Sequence, residues 1–168
     1  MKTAILVSVL LLSIPFAALA AESDLYGTWK LVSNNSKLID TGEVQQPRGK
    51  APTGYLSFGR DRRVMSITLS EKRPKPESVA TMTDQQRIEL FNTMNAYVAT
   101  YKLEGNKLTY RFELTHNEVP ERAASREIKI EGSKLTMVNE PGPGVIDGKM
   151  RQTTTVWEKV EAPVTAKK

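Results

Sequence analysis

The chain has 168 residues, with 24 Lys and Arg against 19 Asp and Glu, and no cysteine. Without thiols there are no disulfides, no thiolate catalysis and no cysteine-containing metal site, so stability rests on packing and hydrogen bonds. A formal charge of +5 without a dense basic stripe argues against nucleic acid as a partner.

At the N-terminus, Met1-Lys2-Thr3 precedes an apolar run from Ala4 to Leu12, Pro15 breaks the run, and Ala18-Leu19-Ala20 places small residues where signal peptidase reads the chain. These are the three parts of a cleavable secretory signal, residues 1–20, with cleavage after Ala20. A membrane span needs ~20 predominantly apolar residues, and Ser8, Ser13 and Pro15 interrupt a stretch barely that long. The expected product is periplasmic or secreted. Residues 21–161 suit one domain, and residues 162–168 read as a disordered tail.

Beyond residue 24 the sequence breaks into short segments of period-two alternation separated by Gly, Asn, Asp and Pro. That pattern predicts strands over 25–33, 54–59, 63–69, 96–103, 107–115, 125–131, 134–139 and 150–160. Asn34 to Thr53 and Ser70 to Met82 read as long polar loops, the kind that act as lids. Between them and the next strand lies a helix near 84–94, where Thr83 and Gln86 form a capping box. Its narrow apolar stripe, Ile88, Phe91 and Met94, is expected to dock on the strands.

Two hairpins are the most sharply drawn. Pairing Leu103 with Leu108 across Glu104-Gly105-Asn106-Lys107 sets Tyr101 opposite Tyr110 and Ala99 opposite Phe112, with Leu114 continuing the same dry face. A slip of one residue would turn every ring to water, which fixes the register. Glu131-Gly132-Ser133-Lys134 likewise joins Ile128 and Ile130 to Leu135 and Met137. Strands with one wet and one dry face, following one another as a meander, predict an all-β, eight-stranded antiparallel up-and-down barrel with one short inserted helix.

Catalytic constellations are scarce. His116 is the only histidine, so no multi-histidine metal site is available, and no catalytic residue or cofactor is assigned. Glu113, Glu127, Glu131 and Glu158 fall opposite their apolar neighbours, where acids are solvent charges. The dry face is more informative. Tyr97, Tyr101, Tyr110 and Phe112 form an aromatic wall that serves either as core or as the lining of a ligand site, and buried hydroxyls need partners. Arg126 interrupts the alternation of Ile128 and Ile130 and falls on that face beside Asn139. A buried guanidinium is either half of an internal salt bridge or an anchor for an anionic ligand. Trp29 is expected to close the barrel floor beneath a basic side chain such as Arg151 or Lys159.

The segment Leu25-Tyr26-Gly27-Thr28-Trp29-Lys30-Leu31-Val32-Ser33 is similar to the opening of the bacterial and fungal lipocalin-like domain family. Tyr97-Val98-Ala99-Thr100-Tyr101, Leu135-Thr136-Met137 and the closing Val156-Trp157-Glu158-Lys159 extend the resemblance over nearly all of residues 24–161. It implies a calycin-type barrel, closed by Gly27, Trp29 and Trp157, that binds a small, largely apolar molecule. It implies no common ligand or reaction. Three readings follow: an exported protein binding or carrying a small hydrophobic or amphipathic molecule, anionic or not; a barrel enzyme, an isomerase or hydrolase of a hydrophobic substrate; and an envelope interaction protein with a solid barrel.

Overall fold

In a computed structural model, residues 20–118, 123–144 and 147–161 are described. The expected signal segment up to Leu19 and the tail from Ala162 lie outside the described residues. The elements run α1 (Glu22–Leu25), β1 (Gly27–Leu38), β2 (Val44–Gln45), β3 (Thr53–Phe58), β4 (Arg63–Leu69), α2 (Asp84–Asn92), β5 (Met94–Glu104), β6 (Lys107–Thr115), β7 (Ala124–Glu131), β8 (Lys134–Asn139), β9 (Gly142–Pro143) and β10 (Met150–Lys159). Eight long strands pair antiparallel in sequence order, and β10 returns to β1, which closes the barrel. Each of these strands thus has a partner on both sides, although β6 runs past its pairing with β7 after Tyr110.

Both predicted hairpin registers are present: Leu103 pairs with Leu108, Tyr101 with Tyr110 and Ala99 with Phe112, while Ile130 pairs with Leu135 and Ile128 with Met137. Gly105 and Gly132 take the left-handed conformation that these two turns require, with φ of 61° and 60°. The helix is also present, and its Thr83 hydroxyl accepts from the Gln86 amide at 3.2 Å.

Three expectations need correcting. β1 runs on to Leu38, into the stretch expected to be loop. A bulge between Leu31 and Ser33 switches its phase, so Trp29 and Leu31 point inward before it and Ser36 and Leu38 after it. A second bulge, where Val98 pairs with Leu114 but Ala99 with Phe112, turns Leu114 outward to 64% exposure instead of continuing the dry face. The apolar stripe of α2 is not buried: Ile88 and Phe91 are about half exposed, and no residue of the helix is buried. What holds the helix is polar. Arg73 donates to the Leu90 carbonyl at 3.0 Å and to the Thr93 hydroxyl at 3.1 Å.

The two ends of the barrel differ. At one end the strands are joined by the tight turns after Phe58, Glu104 and Glu131, and α1 lies across the opening. The other end is where β1, β4, β6 and β8 finish and β3, β5, β7 and β10 begin.

Candidate binding site

At the closed end the interior is solid. Leu25, Trp29, Leu56, Val64, Leu108 and Leu135 have 0% exposure and fill this end. Trp29 donates its indole N–H to the Leu25 carbonyl at 2.8 Å, and Lys159 Nζ sits 4.9 Å from its ring centre, so of the two expected basic side chains it is Lys159 that stacks there. Lys159 also donates to the Asp24 carbonyl at 2.8 Å, tying β10 to α1. Gly27, at φ 109°, makes the turn from α1 into β1 in a conformation that a side chain would strain. Trp157 is buried in the same half and donates to the Thr155 hydroxyl at 2.8 Å.

Tyr101 belongs to this solid half. Its ring meets Phe58 edge-on at 5.2 Å and its hydroxyl donates to the Gly59 carbonyl at 3.1 Å. Burial, followed by the charge of Glu22, pushes its pKa up to about 12. The hydroxyl is therefore satisfied and protonated, with nothing left to offer a ligand.

Toward the open end, the inward positions change character. On β1 and β10 the Ser36 and Thr153 hydroxyls meet at 2.7 Å. On β4 Ser66 and Thr68 point inward and are buried. Gly54 faces them from β3, where a Cβ would come within 2.5 Å of the Ile67 carbonyl oxygen. Tyr97, Phe112, Arg126 and Asn139 also point inward, yet each keeps partial exposure, so solvent reaches this half of the barrel.

Arg126 and Asn139 are register partners on β7 and β8, and Arg126 Nε donates to the Asn139 amide oxygen at 3.0 Å. Across the sheet Tyr110 pairs with Ala124, whose small side chain leaves room for the guanidinium to lean over the phenol ring. Its carbon lies 4.1 Å from the ring centre. Tyr97 and Phe112 complete the wall, with their rings 5.9 and 6.1 Å from Tyr110 and 5.2 Å from each other. The structure thus brings together Tyr97, Tyr110, Phe112 and Arg126, while Tyr101, the register partner of Tyr110, turns its hydroxyl to Gly59.

Among the described residues Tyr110 Oη and Arg126 Nη1 are both buried without a well-formed hydrogen bond, although the Tyr97 and Arg126 side chains lie close enough to the phenol to act on its proton. Orphaned buried donors of this kind are rare and mark a missing partner. Burial, with Tyr97 beside it, holds the Tyr110 pKa well above the ordinary tyrosine value, against the opposing influence of Arg126. The phenol is therefore a neutral donor next to a cation. Among the described residues no carboxylate forms an ion pair with Arg126; Arg151, the other inward arginine, is held by Asp147 from the connection before β10, and the remaining ion pairs lie on the outside of the barrel or at its closed end.

The serine and threonine contribution was not visible in the sequence reading. On β4 the signal was an inverted alternation, with Ser66 and Thr68 inward and Met65 and Ile67 outward. Inward positions among the described residues carry hydroxyls, amides, Arg126 and Arg151, and no carboxylate or imidazole. Such a lining can bind and orient a small molecule. A depression of about 420 Å³ opens where β6 outruns β7, and its lining includes Tyr110 and Phe112 of the aromatic wall together with Tyr101, Thr109, Arg111 and Ala123.

No curated protein matches the chain. The family model of the lipocalin-like domain matches residues 26–160, the whole barrel from the turn before β1 to the end of β10. Small-molecule binding is the general property of such barrels, and among the described residues no helix is long and apolar enough to cross a membrane. With its closed eight-stranded meander and this match, the chain belongs to the lipocalin-like domain family.

Proposed function

We propose that this is an exported binding protein whose open half holds a small anion, with the acidic group at the edge of the Arg126–Tyr110 stack, reaching Arg126 Nη1 and Tyr110 Oη, and an apolar, planar body against Tyr97 and Phe112. The observation that carries it is the pair of adjacent, buried donors without a well-formed hydrogen bond, Tyr110 Oη and Arg126 Nη1. One carboxylate oxygen accepts from each, and a charge-assisted bond of this kind is worth ~1.5–3 kcal/mol. The solid closed half leaves no channel for a long acyl chain, so the ligand is short. The export part of the reading rests on the signal pattern of residues 1–20.

The test is a titration with an aromatic carboxylate and its neutral amide, on wild type and Arg126→Met. Methionine keeps most of the stem packing and removes the charge. Carboxylate affinity should fall roughly ten- to hundred-fold while amide affinity barely changes. Equal affinities for both probes in both proteins would remove the anchor, and failure of the carboxylate to bind wild type would count against the site.

A further inference from the structure

Strand β4 runs against the usual sense of a barrel in water, with apolar side chains facing out and hydroxyls facing in. Met65 and Ile67 stand outside at 57% and 45% exposure, while Ser66 and Thr68 are inside at 7% each. The register sets two polar neighbours beside them. Ser66 pairs with Tyr97 and Thr68 with Asn95, so Asn95 shares the inward phase of Tyr97 and Ala99 on β5. On its other side Thr68 pairs with Gly54, where an added Cβ would lie 2.9 Å from the Thr68 methyl carbon, so β3 brings no side chain here. Ser66, Thr68 and Asn95 therefore form one polar corner next to Tyr97.

The corner is poorly satisfied. Among the described residues its three side chains make one hydrogen bond, from the Thr68 hydroxyl to the Asn95 carbonyl at a long 3.5 Å. The hydroxyl of Ser66, a residue more than nine-tenths buried, makes none, and neither does the Asn95 amide. Burying a hydroxyl without a partner costs free energy, and turning Met65 and Ile67 to water forgoes more. A fold keeps such an arrangement where the polar groups have an occupant to meet. No charge belongs to the corner, since the inward arginines, Arg126 and Arg151, stand on β7 and β10. Hydroxyls and amides both donate and accept. They match a neutral hydroxyl, and they give a second carboxylate no counter-charge.

We infer that the ligand carries a neutral hydroxyl on the side of its ring away from the acid, held by Ser66, Thr68 and Asn95, which makes it a hydroxyaryl carboxylate. Strand order sets that direction. From Arg126 on β7 the wall runs through Tyr110 and Phe112 on β6 and Tyr97 on β5 to Ser66 on β4. A planar body lying on the rings thus has the guanidinium beyond one edge and the hydroxyls beyond the other. The inference rests on the chamber proposed above and names what its far side selects.

Calorimetric titration tests it, with 4-hydroxybenzoate against 4-methylbenzoate, the longer 4-hydroxycinnamate against 4-methylcinnamate, and the amides of all four. On one frame or both, the hydroxyl compound should bind wild type about three- to ten-fold more tightly than its methyl counterpart, the worth of one hydrogen bond. Ser66→Ala combined with Thr68→Val should abolish that preference and leave the methyl compounds unaffected. The double variant should melt no lower than wild type, because it replaces buried hydroxyls with apolar groups of similar shape. Arg126→Met should weaken the carboxylates and keep the hydroxyl preference, so a failed anchor and a failed corner give different results. The amides read the preference even without the anchor. The inference is overturned if the methyl compounds bind wild type as tightly as the hydroxyl compounds on both frames, or if the preference survives in the double variant. Absence of binding by every probe overturns the corner and the chamber together.

Discussion

The two halves of the barrel interior are built from the same strands and differ in what those strands point inward. Toward the closed end, Trp29, Leu56, Leu108 and Leu135 fill the space, and the polar groups of Trp29 and Tyr101 are satisfied on the Leu25 and Gly59 carbonyls. Toward the open end, Ser36, Ser66, Thr68 and Arg126 replace them, and two buried donors lack a well-formed bond among the described residues. The bulge after Leu31 lets one strand serve both halves, because it re-aims β1 at the point where the lining changes. The closed half thus carries the stability that lets the open half keep unsatisfied groups, a division consistent with strain being kept at a functional site.

That division is tested most severely at Trp29. Trp29→Ala should cost about 3–5 kcal/mol in denaturant unfolding, because it opens a void in the solid half and removes both the Leu25 bond and the Lys159 stack. A loss below ~1 kcal/mol would mean that the closed half is not the stabilising one.

A smaller effect comes from pH. Burial keeps the Tyr110 phenol protonated in the folded chain, whereas the unfolded chain ionises tyrosine near pH ~10. Its contribution is therefore fully present below pH ~10 and falls as pH rises beyond that toward the folded value, by at most ~1.4 kcal/mol per pH unit. Tyr110→Phe should flatten the alkaline limb of the stability curve, and an unchanged limb would contradict the buried phenol.

Tyr101→Phe, in the solid half, removes one satisfied hydrogen bond and should cost ~1 kcal/mol. Arg126→Met, in the open half, should change stability by less than ~1 kcal/mol, since it removes a poorly satisfied buried donor and, among the described residues, strands no carboxylate. A loss of ~3–5 kcal/mol for Arg126→Met would instead assign the guanidinium to an internal ion pair.

How much of this was legible in the sequence follows the same line. The β5–β6 and β7–β8 registers were readable because Tyr101, Tyr110, Ile128 and Leu135 share a dry face, and a dry face is what alternation detects. Arg126 was readable as a break in that alternation. The inner end of β1 was not, because Ser36 points inward as a polar residue and so resembles loop. Leu114 was misplaced because a bulge is invisible to a period of two. The docking of α2 was overestimated because a stripe of Ile88 and Phe91 says that a face is apolar and not what covers it.

The central claim, that one half is structure and the other a binding chamber, is tested most directly by ¹⁵N-resolved NMR of the side-chain N–H groups during titration with an aromatic carboxylate. Arg126 Nε, bonded to Asn139, reports on the open half, and the Trp29 indole, bonded to Leu25, reports on the closed half. The account predicts that the Arg126 Nε signal shifts progressively and saturates, while the Trp29 indole signal stays in place. Movement of the Trp29 signal with a stationary Arg126 signal would contradict it, because the ligand would then sit where the structure leaves no room.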